Sequence, residues 1–148
     1  MNIEDTYAVS QRVVNVLLIS PFDEDHRHLR DILKHSKWQQ HGASTQTEAF
    51  DFLRENIAPV VICESDLPDG TWQDVLSHLG RMKHPPLLVV TSRTADERLW
   101  SEVLNLGGYN VLAKPLNMKE VFHVAGLAWM LWKRRSERPQ TAMLARTA

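Results

Sequence analysis

The sequence predicts a single α/β domain built on a doubly wound, five-stranded parallel sheet in three layers. Three observations predict it. Short apolar runs alternate with amphipathic helical patterns, so that a strand-then-helix unit recurs five times. The runs are rich in Val and Ile and apolar throughout, as strands covered on both faces must be. A chain of 148 residues, 43% of them hydrophobic, suits one domain with a sizeable core.

The strand candidates are Val13–Ile19, Ala43–Thr47, Pro59–Cys63, Leu87–Val90 and Val111–Ala113; Ala43–Thr47 carries the weakest pattern. Helical spacing places Leu29, Ile32 and Leu33 on one face of a helix over Asp23–Ser36, and Phe50 and Leu53 on a helix over Thr47–Asn56. A third helix, Thr71–Met82, opens on Thr71 as N-cap. A fourth, Thr94–Leu106, stops at Gly107. A fifth, Asn117–Arg135, starts with Asn117 and Glu120 in an arrangement close to a capping box. The ordered domain is expected over 13–135, after a polar extension at 1–12 and before a flexible tail at 136–148.

Composition excludes several functions. Basic and acidic residues number 17 and 18, so the basic excess of a nucleic-acid binder is missing. The basic group Lys133, Arg134, Arg135 and Arg138 reads as a solvated helix end that suits the C-terminal dipole. The most apolar stretch, Phe122–Trp132, is too short for a bilayer, which needs roughly 20 residues, so no membrane insertion is expected. The lone cysteine, Cys63, sits in an apolar run and fits a reducing cytoplasm. The 7 histidines are scattered; His26 and His28, two apart, do not share a helical face and read as solvent-facing. No metal site is expected among them.

In sheets of this kind, ligand chemistry sits just beyond the carboxyl ends of the strands. Those segments read VLLIS-PFDEDHRHL, VVICESDLPDG, LLVVTS and NVLAKPL. In that order and spacing they resemble the receiver domain of bacterial response regulators, over roughly residues 13 to 133. The most specific piece is the Lys114–Pro115 pair, found together with Thr91 and the Asp-Leu-Pro-Asp-Gly loop. The resemblance implies a flavodoxin-like (CheY-like) (βα)5 fold. It implies two-component phosphorelay signalling, in which an aspartate ending the third strand accepts a phosphoryl group. Two acids after the first strand help that aspartate hold Mg²⁺. A lysine and a Thr or Ser hydroxyl receive the charge.

Carried over position by position, the site is half kept. Lys114 and Thr91 match the lysine and the hydroxyl, and Pro68 and Gly70 match the loop. The acceptor position is Glu64, the acidic pair falls on Ser20 and Pro21, and the aromatic position of the fifth strand is Val111. Asp23 and Glu24 follow within a turn as acidic substitutes, with Asp25 beside them as a first-turn helix acid; Asp66 is a second acid near the acceptor. Glutamate carries its carboxylate about 1.5 Å farther than aspartate, beyond the roughly 0.5 Å tolerance of such sites, and toward Lys114 and Thr91. With Ser20 and Pro21 in place of carboxylates, Mg²⁺ binding is not expected and no cofactor is assigned.

The expectation is a stand-alone, phosphorylation-independent receiver that is not an enzyme. Its partner is a histidine kinase or another signalling protein. Glu64 and Lys114 are expected to pair. Two alternatives stand beside this reading: a working phosphoacceptor at Glu64 or Asp66, and a flavodoxin-like small-molecule-binding domain. The second lacks a Gly-rich phosphate loop after the first strand. The last helix is apolar nearly all round, which predicts a partner or homodimer surface with Phe122, Trp129 and Trp132 as anchors.

Overall fold

The computed structural model describes residues 13–137; the extension at 1–12 and the segment 138–148 lie outside them. The main sheet has strands β1 (Val14–Ile19), β2 (Trp38–Ala43), β3 (Val60–Glu64), β4 (Leu87–Ser92) and β5 (Asn110–Ala113). All pair in parallel, in the order β2-β1-β3-β4-β5. Helices α1 (Asp23–Leu33), α2 (Gln46–Glu55), α3 (Trp72–Leu79), α4 (Glu97–Leu106) and α5 (Met118–Glu137) connect and follow them. Residues Asp66–Leu67 and Gly70–Thr71 add a small antiparallel ribbon after β3.

The Val and Ile runs of β1, β3 and β4 are buried because each strand feeds two cores. Side chains alternate across the sheet. Leu17, Ile19, Val61, Cys63, Leu88 and Val90 face one layer, which α2, α3 and α4 complete with Leu53, Val75, Leu79 and Val103. Val16, Leu18, Val60, Ile62, Leu87 and Val89 face the other, closed by Leu29 and Ile32 of α1 and by Val121, Val124, Ala125 and Ala128 of α5.

The second strand is not Ala43–Thr47 but Trp38–Ala43. It lies at the sheet edge and its sequence, WQQHGA, is polar, so the apolar signal is missing. Thr45 instead caps α2, its hydroxyl accepting from Glu48 N at 3.2 Å. Other caps hold α3, α4 and α5: Asp74 Oδ2 accepts from Thr71 N at 3.0 Å, Asp96 Oδ1 from Leu99 N at 2.9 Å, and Asn117 Oδ1 from Glu120 N at 3.1 Å. α4 thus begins after Asp96, later than Thr94, and ends at Gly107, whose φ of 104° is left-handed. Gly108 follows so close to α4 that a Cβ there would lie 2.4 Å from Val103 Cγ1. α5 runs through Glu137, two residues past the expected domain boundary at 135.

Phe122, Trp129 and Trp132 are half-buried and pack against the α1–α5 core. The exposed large apolar side chains of α5 are Met118, Leu127 and Met130. Trp100 on α4, which the sequence pattern did not single out, is 49% exposed. No helix among the described residues is long and apolar enough to cross a membrane.

Candidate functional site

Sheet register assembles the site. Glu64 pairs with Thr91 across β3 and β4. Ser20 follows the Ile19–Cys63 pair, and Lys114 follows the Ser92–Ala113 pair. Four residues from four adjacent strand ends therefore converge at the carboxyl edge. The switch in strand order, where β1 is flanked by β2 and β3, lies at the same edge.

Lys114 is the centre. Its Nζ lies 2.8 Å from Glu64 Oε2 and 2.9 Å from Asp25 Oδ2. Thr91 Oγ1 donates to the same Glu64 oxygen at 3.0 Å, and Ser20 Oγ donates to the same Asp25 oxygen at 2.7 Å. The three charged side chains are 7% (Lys114), 9% (Glu64) and 11% (Asp25) exposed. The Phe22 ring stands over the ammonium, 4.8 Å from Nζ to its centroid. Burial alone would lower the Lys114 pKa; the hydrogen bonds and charges of Glu64 and Asp25 outweigh it and hold the value above the ordinary 10.5.

The acid that joins this network is Asp25, not Asp23 or Glu24. Both of those are exposed, and Glu24 instead pairs with Arg93 at 2.7 Å on the surface. One residue of α1 turns the side chain by about 100°, so of three successive acids only one can face inward. A signal for it was present: Asp25, Leu29 and Ile32 follow one another at i, i+4 and i+7, and all three are buried. Ser20 orients this acid while accepting from Phe22 N at 3.1 Å, which supplies the turn into α1. His26, expected in solvent, is half-buried, with Nε2 2.9 Å from Ser20 O.

The remaining candidates fall around this core. Pro21 is half-buried beside it and makes no polar contact of its own. Pro115 is exposed at the rim and joined to Lys114 by a cis peptide. Val111 is buried in the core one strand turn below. Asp66 is exposed on the ribbon, outside the network. The loop bearing Pro68 and Gly70 is pinned by Asp69, whose carboxylate accepts from Gln46 N at 3.0 Å, Thr47 N at 3.2 Å and Thr47 Oγ1 at 2.9 Å. Burial would raise the Asp69 pKa, but these bonds pull it below its ordinary value. Above the network opens a cleft of about 510 Å³ lined by Glu24, Asp25, His28, Arg93, Lys114, Pro115 and Leu116.

The strand order and this edge site decide the comparison with known folds. The fold is that of a receiver domain. The signal receiver domain of an HD domain-containing protein from Pseudomonas fluorescens Pf-5 superposes with a TM-score of 0.78 at 21% identity, covering 86% of this chain and 94% of that one. The signal receiver domain of a LuxO repressor protein from Vibrio parahaemolyticus gives 0.78 at 18% identity, covering 86% and 98%. The beryllofluoride-activated NtrC4 receiver domain dimer gives 0.73 at 19% identity, covering 80% and 98%. No family model and no curated protein matches the sequence.

A receiver fold implies a divalent cation at this edge. The residues present do not fit it. Ser20 and Pro21 offer no carboxylate, and the two buried acids that remain share the Lys114 ammonium.

Proposed function

We propose that the protein is a signalling receiver whose switch is held by Glu64 rather than set by a phosphoryl group. One observation carries the reading. In phosphoryl transfer to a carboxylate, a hydroxyl and a lysine gather around the new anionic group. Here Thr91 and Lys114 already gather around the Glu64 carboxylate, at 3.0 and 2.8 Å. The carboxylate thus occupies the place and supplies the charge that modification would bring. The domain then works by constitutive protein–protein contact, with a histidine kinase or another signalling protein as partner.

Exposed Trp100 and Leu104 on α4, and Met118, Leu127 and Met130 on α5, supply apolar surface for such contacts, a second copy of the chain included. A receiver of this fold, that of NtrC4, is a dimer in its beryllofluoride-activated form. The cytoplasm is the setting in which the buried free thiol of Cys63 would persist. Incubation with acetyl phosphate and Mg²⁺, followed by intact-mass analysis, tests the central claim. No adduct is expected; a hydroxylamine-sensitive gain of one phosphoryl mass overturns it.

A further inference from the structure

The amino end of the sheet, opposite the Glu64 network, carries an apolar groove. Cavities of about 390 and 410 Å³ share Ile57, Trp132 and Ser136 in their walls and so run into one another. Leu53, Met82 and Pro86 extend the lining of one, and Val13, Pro59 and Trp129 that of the other. Val13, Pro59 and Pro86 immediately precede β1, β3 and β4, which fixes the groove at this end. Ile57 is 67% exposed and Val13 58%. Ile57 has no inward alternative, because its loop is tied down. Asn56 N and Nδ2 both donate to Phe52 O, at 3.1 and 3.0 Å, and Asn15 Nδ2 donates to Ile57 O at 3.0 Å. Ala58 and Pro59, which follow, are buried. A fixed backbone therefore holds a large aliphatic side chain in water beside a preformed hollow, the mark of a surface that meets a partner.

Charge sets the groove's preference. Every helix follows a parallel strand and so finishes at this end, where the helix dipole favours cations. Arg54, Arg81, Lys83, Lys133, Arg134 and Arg135 gather there against Asp51, Glu55 and Glu137. Arg54 is engaged by Asp51 at 2.5 Å. Lys83 and Arg135 enter no ion pair among the described residues, and Lys133 stands over the Trp129 ring at 5.5 Å. Glu55 and Glu137 line the groove as well, yet the basic side stays in excess.

We propose that this groove docks an acidic segment of a partner protein, with large apolar side chains seated against Ile57 and Trp132 and carboxylates met by Lys83, Lys133 and Arg135. Two adjoining cavities suit a run of side chains from one extended or helical segment. The surface excludes the exposed side chains of α4 and lies at the far end of the sheet from Glu64, so docking here does not depend on the state of the Glu64 network.

The test is selection from a random peptide library displayed on phage, against the full chain. Each enriched peptide is then measured by fluorescence anisotropy on the wild type, Ile57→Glu, Lys83→Glu and, as a control at the opposite end, Asp66→Ala. Ile57 and Lys83 are both exposed, so either variant reports if the other fails to fold. Enriched peptides are expected to combine Asp or Glu with Leu, Phe or Trp. They should bind roughly tenfold or more weakly to Ile57→Glu and Lys83→Glu, bind Asp66→Ala unchanged, and weaken as NaCl is raised. Enrichment of neutral or basic peptides overturns the proposal, as does binding that both groove variants leave intact, or no enrichment at all. A chain beginning at Val13 that selects acidic peptides which the full chain does not bind overturns it too, because residues 1–12 would then be the occupant.

Discussion

Removing either member of the Lys114–Glu64 contact breaks the same 2.8 Å bond, yet the two removals should differ sharply in cost. Glu64→Gln keeps an oxygen that can accept from Thr91 and Lys114, and it leaves Lys114 neutralised by Asp25 at 2.9 Å. What is lost is the charged character of one hydrogen-bonding group, about 1–2 kcal/mol. Lys114→Met fits the same channel but leaves two carboxylates, 9% and 11% exposed, with no counter-ion. Stranding one buried charge costs about 3–5 kcal/mol, and here two like charges face each other. The gap between the variants is therefore about 2 kcal/mol or more in metal-free buffer. Urea denaturation at neutral pH, followed by far-ultraviolet circular dichroism, measures both. Equal destabilisation, or a Lys114→Met variant within about 1 kcal/mol of wild type, would show that the network is hydrated and that its charge balance does not matter.

Four further outcomes are expected. The raised Lys114 pKa stabilises the fold fully below the ordinary lysine value of 10.5, and the contribution is lost as pH rises through the folded value; alkaline melting curves should fall in wild type and flatten in Glu64→Gln. Asp69→Ala removes the carboxylate that ties the ribbon to α2 and should cost about 1 kcal/mol by chemical denaturation, with nothing left of the penalty at a pH low enough to protonate Asp69 in the wild type. Gly108→Ala drives a methyl into Val103, 2.4 Å away, and should lower stability by about 1–3 kcal/mol, measured by thermal melting; an unchanged midpoint would mean the α4–β5 turn opens freely. Trp100→Glu should leave stability within about 0.5 kcal/mol while weakening self-association in light scattering, whereas Trp129→Glu should destabilise the monomer because its ring is half-buried; a strictly monomeric wild type sinks the dimer half of this.

The central strands were readable because burial on both faces leaves no polar positions: Val60–Glu64 and Leu87–Ser92 are buried at every residue. The edge strand was not, because Trp38–Ala43 meets a neighbour on one side only and can carry Gln and His. The same contrast runs through the site. Glu64, Thr91 and Lys114 end apolar strands, so the sequence marks their places, and the structure puts them within hydrogen-bonding reach of one another or of a shared atom. Asp25 lies inside a run of three acids in which composition says nothing about orientation; only the phase of α1 separates it from Asp23 and Glu24. The tryptophans of α5 show how coarse a hydropathy pattern is for wide side chains. Hydropathy counts how much apolar surface a helix carries, and a wide ring can rest partly on the core and partly in water.

The network at the strand ends has a kinetic consequence. Its bonds join residues far apart in the chain: Thr91 to Glu64 across 27 positions and Lys114 to Asp25 across 89. Loops of that length close only after β1, β3, β4 and β5 have come into register, so the bonds form late on the folding path. Interactions absent from the transition state act on escape from the native state rather than on arrival. The buried triad therefore serves as a clasp. Weakening it with Glu64→Gln should leave the refolding arm of a chevron plot nearly in place and raise the unfolding arm. On the proposed reading, a domain that presents one unchanging surface would gain from this arrangement, since its working lifetime is set by how rarely the sheet opens, not by how quickly it first closes.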